Sequence, residues 1–188
     1  MSSSLAPGLL VAAPPLADPN FDRSVVLLAA HGPDGAFGWI INGREVMTVG
    51  ELLDRAEVSA VGNDRLGDVR IGGPVAQEQV WLVYRTEHRI EGLTEQFDVG
   101  SGVTASPSRK MLEAIAEGRG PRDLVGLVGY AGWAPWQLEN EIRVGAWLPT
   151  DADAAIVFDV PRAEIWHRAY ERVGTTPMAF TTRTVGSA

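Results

Sequence analysis

The sequence predicts an α+β fold built on a mainly antiparallel sheet, and three observations predict it. Two apolar runs, residues 24–31 and 36–42, flank the turn-forming tetrapeptide Gly32-Pro33-Asp34-Gly35 and read as a β-hairpin with a four-residue loop. Other strand-like runs are joined through helical patterns, so the order is mixed rather than a strict βαβ alternation. The 188 residues are 45% apolar and 21% charged and show no repeat or long linker, which describes one ordinary globular domain over residues 1–188. Residues 1–7 and 175–188 are expected as loose tails.

In chain order, residues 9–13 form a short apolar strand ended by Pro14 and Pro15. The hairpin follows. Thr48 caps a short helix through Leu52, Leu53 and Ala56, with Glu51 completing a capping box. Residues 69–71 lead into Gly72-Gly73-Pro74, read as a tight turn or a close backbone approach. Residues 80–85 alternate as a strand, and residues 86–102 read as a long loop with one short strand around 96–99. Ser106 before Pro107 starts a helix whose inward stripe is Met111, Leu112 and Ile115, stopped by residues 118–121. Residues 124–130 are a strand leading through a Gly-rich turn into a helix opened by Pro135. Residues 155–158 read as a strand. Residues 161–173 read as a helix with Ile165, Trp166, Ala169 and Val173 inward and Gly174 as its stop.

Composition narrows the function classes. The net charge is −8 and the isoelectric point near 4.9. Nucleic-acid binding normally relies on a basic surface, so it is not expected here. Residues 161–188 do hold Arg162, Arg168, Arg172 and Arg183 against Glu164 and Glu171, a net +2. With no cysteine there is no disulfide framework and no thiolate metal site. The first eight residues carry no basic segment, and the apolar run after them is too short for a signal or a membrane span. The expectation is a cytoplasmic protein outside the membrane.

Several segments carry a family resemblance. Residues 8–12, the stretch Leu16-Ala17-Asp18-Pro19-Asn20-Phe21-Asp22-Arg23-Ser24-Val25-Val26, His31, Gly35-Ala36-Phe37-Gly38 and Asn42 open the pattern. Gly72-Gly73-Pro74-Val75, Gly129-Tyr130-Ala131-Gly132-Trp133, Gln137-Leu138-Glu139 and Trp147-Leu148 continue it. The chain resembles the YqgE/AlgH family over about residues 8–173. The resemblance implies a bacterial cytosolic protein whose sheet forms a pseudo-barrel surrounded by helices. That family carries the label of a transcriptional regulator, from a link to alginate regulation, with no agreed activity, cofactor or catalytic residue to carry over. The chain departs from the pattern at Trp136, where the family usually has glycine, and at Gly43, where proline usually follows the hairpin asparagine.

Two constellations remain. Asp18, Asp22 and Arg23, with His31 further on, could form a metal or acid–base cluster. The alternative is a turn with an Asx hydrogen bond at Asp18 and Arg23 paired to a carboxylate. Ser24 lacks a nucleophile elbow, and the three histidines share no metal-ligand spacing. The second constellation is Gly132, Trp133, Trp136, Gln137 and Glu139. Here Trp136 falls about 160° around the helix from the inward Leu138. An exposed tryptophan suits a contact surface. Glu139 can pair with Arg143 four residues on. Trp133 reads as a staple to the core, and Trp39, Trp81, Trp147 and Trp166 as core.

The expected function is that of a non-enzymatic regulatory or binding protein without a cofactor or metal, working on an unknown protein partner or a second copy of itself. One alternative is a hydrolase using Asp18, Asp22 and Glu139 with His31, with or without a divalent metal. The other is direct DNA binding through the C-terminal arginines.

Overall fold

The segments 8–12, 25–28 and 39–41 are apolar along both faces, and each face is covered by a different helix. The computed structural model describes residues 4–14, 18–58 and 67–174. The first half holds β1 (Gly8–Ala12), β2 (Val25–Gly32), β3 (Gly35–Ile40), β4 (Glu45–Thr48), α1 (Val49–Arg55), β5 (Asp68–Ile71) and β6 (Val75–Arg85). The second holds β7 (Phe97–Gly100), β8 (Val103–Ser106), α2 (Arg109–Ala116), β9 (Leu124–Trp133), α3 (Gln137–Arg143), β10 (Trp147–Asp151), α4 (Ala154–Phe158) and α5 (Ile165–Arg172). The sheet runs β10-β1-β2-β3-β9-β6-β8-β7, with β5 on β9 and β4 on β5. Every pair is antiparallel except β5 with β9. The sheet curls into a half-barrel, an α+β architecture as the sequence predicts.

The period of two along a strand sorts the core. Leu9, Val11, Val25, Leu27 and Trp39 face one way, against Ile165, Ala169 and Tyr170 of α5. Their neighbours Leu10, Ala12, Val26, Leu28 and Ile40 face the other, against Leu138 of α3 and Trp133 and Trp147. A third cluster joins α1 and α2 through Leu53, Met111 and Ile115 to Val69, Leu82 and Tyr84. Of the remaining tryptophans expected in the core, Trp39 is buried, while Trp81 and Trp166 are half-buried.

Gly72 and Gly73 knit the two halves of the sheet together. Gly72 donates to the Val128 carbonyl (2.7 Å) and accepts from the Ile40 amide (2.8 Å), bridging β9 and β3. A Cβ on Gly73 would overlap the Tyr130 backbone. The close backbone approach read from Gly72-Gly73-Pro74 is therefore present.

Several local expectations change. The hairpin register pairs Gly32 with Gly35, leaving Pro33-Asp34 as a two-residue loop rather than four. The tract 129–133 continues β9, hydrogen-bonded to β3, and is not a turn. Residues 155–158 belong to α4, because the Asp153 carboxylate accepts the Ala155 amide (2.8 Å) and starts a helix there. A four-residue apolar run is too short for its period to decide. Helix α2 is capped by Ser108, not Ser106; Ser106 ends β8 and donates to the Glu95 carbonyl (2.6 Å). The Thr48–Glu51 capping box forms as read. Strands β4 and β8 lacked a sequence signal strong enough to be read. Of the expected tails, Ser4 and Leu5 are hydrogen-bonded to His31, and residues 1–3 and 175–188 lie outside the described residues.

Candidate functional site

Helix α3 lies across the β1–β2–β3 end of the sheet, held by Leu138, which is 1% exposed. Its polar side chains are spent on holding the same packing. One Glu141 oxygen, Oε2, accepts both the Trp133 indole (2.8 Å) and the Trp147 indole (2.9 Å). The other accepts the Gln137 amide (2.9 Å). Gln137 Oε1 in turn accepts the Ala134 N–H (3.0 Å), closing the turn that precedes the helix. Phe21 stacks near the Trp133 ring (centroids 6.3 Å apart) and meets Trp147 edge-on (5.4 Å). Glu141 is thus a clamp for two buried indoles, and the sequence carried no signal for it beyond a helical carboxylate.

Glu139 is engaged as well. The buried His31 ring places Nε2 3.1 Å from Glu139 Oε1. The Leu5 N–H donates to His31 Nδ1 (3.1 Å), so the ring proton sits on Nε2 and is donated to the carboxylate. Both ring nitrogens are occupied in holding the N-terminal segment and α3 to the β2–β3 hairpin. The expected Glu139–Arg143 pair gives way to this contact, and Arg143 donates to Asn140 (2.7 Å) instead.

Trp136 stands apart from that network. Pro135 does not open the helix; it occupies the second position of a four-residue turn closed by the Gln137 amide on the Ala134 carbonyl (3.0 Å). Trp136 takes the third position with φ 64° and ψ −2°, the left-handed conformation that a type II turn normally assigns to glycine. Holding a bulky side chain there costs about 1–2 kcal/mol. The side chain is 65% exposed, so no burial offsets the cost. Trp136 is exposed as expected, but the turn and not a helical angle sets its direction, because the residue precedes the helix.

The other nominated residues divide. Gly132 and Gln137 are exposed beside Trp136, whereas Trp133 is buried at 6% exposure and belongs to the core. Asp18 makes the Asx turn, accepting the Asn20 amide (2.9 Å). Arg23 lies over the Trp166 ring (5.7 Å) rather than against a carboxylate. Asp22 precedes β2 and His31 nears its end, with about 20 Å of strand between them. The structure brings His31 to Glu139 and leaves Asp18 and Asp22 at the other end of β2. Ser24 is at that end too, buried and donating to the Phe21 carbonyl (2.9 Å). Among the described residues no three metal-ligating side chains gather. The C-terminal arginines are largely paired: Arg172 with Asp153 (2.6 Å), Arg168 with Glu164 (3.9 Å) and Glu171 (3.6 Å). Arg183 lies outside the described residues. Among the described residues no helix is long and apolar enough to cross a membrane.

Comparison with known proteins places these features in a wider set. A UPF0301 protein of Anaeromyxobacter dehalogenans is 42% identical over 185 residues, covering 95% of this chain and 92% of that one. A UPF0301 protein of Paracoccus denitrificans is 35% identical over 179 residues, covering 94% of each. The solution structure of the AlgH protein from Pseudomonas aeruginosa superposes with a TM-score of 0.75 at 33% identity, over 100% of this chain and 99% of that one. A crystal structure of a Corynebacterium diphtheriae protein gives 0.68 at 25% identity, over 89% and 86%. The AlgH-like family model matches residues 9–178, from β1 past the end of α5, and with it the hairpin, the glycine crossing and the α3 clamp lie within one shared fold: the chain belongs to the AlgH-like family.

Proposed function

We propose that this protein is a non-enzymatic binding protein of regulatory type, acting in the cytoplasm through a protein contact centred on Trp136. One observation carries the reading: a large aromatic side chain occupies a strained left-handed position that glycine would fill at lower cost, and it is 65% exposed. A residue unfavourable for the fold and unused by the core favours a role outside the fold. Tryptophan is also the residue most enriched at the energetic centres of protein interfaces. The neighbouring polar groups support this assignment, because Glu139, Glu141 and Gln137 are already bonded within the molecule.

The test separates folding from contact. Trp136→Gly relieves the strained backbone and is expected to raise stability by about 0.5–1 kcal/mol in urea denaturation. The same variant, used as bait in nuclease-treated lysate of the native host, is expected to lose a partner that the parent chain retains. Val144→Ser, at another exposed apolar position, serves as the control and keeps the partner. Equal retention by all three baits would overturn the reading. A partner that proves to be the chain itself identifies the contact as a homodimer.

A further inference from the structure

At the far end of the sheet from His31, a cleft of about 310 Å³ opens between the loop before β2, the end of β3 and the connection into β4. That volume is at the lower limit for small-molecule sites. Ile40 and Ile71 supply apolar wall, and the charged lining consists of Asp22, Arg23 and Arg44.

The walls are fixed before any ligand arrives. Asn42 Oδ1 accepts the Val25 amide (2.8 Å) and its Nδ2 donates to the Arg23 carbonyl (2.9 Å), so one side chain ties the two segments together. Arg23 is steadied over the Trp166 ring. The other two charges, those of Arg44 and Asp22, are unspent. Arg70, on the neighbouring strand, is fully committed: its guanidinium grips Asp68 through Nε (2.6 Å) and Nη2 (3.0 Å) and reaches the Ile41 carbonyl through Nη1 (2.6 Å). Arg44 and Asp22, by contrast, make no ion pair with any described residue, and neither pairs with the other although both line one cleft.

We infer that this cleft binds a small carboxylate with a hydroxyl on the adjacent carbon, the chemistry of a 2-hydroxy acid. Arg44, assisted by Arg23, takes the carboxylate, for which the guanidinium fork is suited. Asp22 accepts the neighbouring hydroxyl. Two arginines against one aspartate leave a single positive charge, which matches one carboxylate and disfavours a phosphate dianion.

The experiment is a titration of the ¹⁵N-labelled full chain with sodium lactate at constant ionic strength, followed by amide shifts. Sodium acetate, sodium chloride and inorganic phosphate are the comparison probes. Saturable shifts confined to residues 20–24 and 42–44 are expected with lactate, several-fold weaker affinity with acetate, and none with chloride. Arg44→Gln, at an exposed site, is expected to raise the lactate Kd at least fivefold with the rest of the spectrum unchanged. Asp22→Asn is expected to erase the preference for lactate over acetate. Shifts that never saturate, that chloride reproduces, or that survive Arg44→Gln undiminished overturn the inference. Phosphate binding as tightly as lactate overturns the carboxylate assignment.

Discussion

Glu141 shows how one side chain can decide the packing of two others. Its carboxylate accepts two buried indoles and a glutamine amide. Glu141→Gln puts an N–H where an acceptor is needed, and a charged acceptor is worth more than a neutral one. The expected cost is about 1–2 kcal/mol in urea denaturation. The indole N–H resonances of Trp133 and Trp147 should move together while that of Trp39 stays in place. Asn42 and Gln96 play comparable parts in irregular backbone. Gln96, 7% exposed, accepts the Tyr84 hydroxyl and the Ile90 amide (2.8 Å each) and donates to the Ile90 and Leu93 carbonyls (2.7 Å each). Such roles are invisible in a sequence, because an amide reads the same at the surface as at the centre of a buried loop. A helical angle predicts the exposure of Trp136, whereas the residue sits before the helix in a left-handed turn position that no periodicity foretells.

Elements differ in how clearly they announce themselves. The Thr48–Glu51 box was legible because both partners sit at fixed spacing before an apolar pair. The start of α2 was not, since Ser106 and Ser108 flank Pro107 and only the β8 pairing decides between them. Ser108→Ala is expected to cost about 1 kcal/mol through the lost cap. Ser106→Ala should loosen the Glu95 loop instead, with hydrogen exchange distinguishing the two regions. Helix α4 was misread because four apolar residues fit either period. Strand β6 carries a pH dependence. Burial raises the Tyr84 phenol from 10.0 to about 12. The unfolded chain therefore ionises first, so this stabilisation is complete below pH 10 and is lost as pH rises toward 12. The loss is on the order of 2 kcal/mol, and Tyr84→Phe should flatten the alkaline limb of the stability curve.

For the whole molecule, the hairpin and the mixed strand order were enough to predict the fold class, while the pairing of distant strands had no local signature. The register joins Gly8–Ala12 to Trp147–Asp151, the two strands furthest apart in the chain. Trp166 adds a hydrogen bond to the Ala12 carbonyl (2.9 Å) from α5. A chain ended at residue 146 loses β10, α4 and α5 and uncovers Leu9, Val11, Val25 and Leu27. It is expected to show no cooperative thermal transition by circular dichroism, which a folded truncation would contradict. The same closure sets a timetable for synthesis. At about 5–20 residues per second, β1 waits on the order of 10 s for its outer neighbour to be translated. During that interval an apolar strand, among the first made, stands with one edge open. The nascent chain is therefore exposed to edge pairing while it is still being made, and slowed translation before residue 147 would lengthen that exposure.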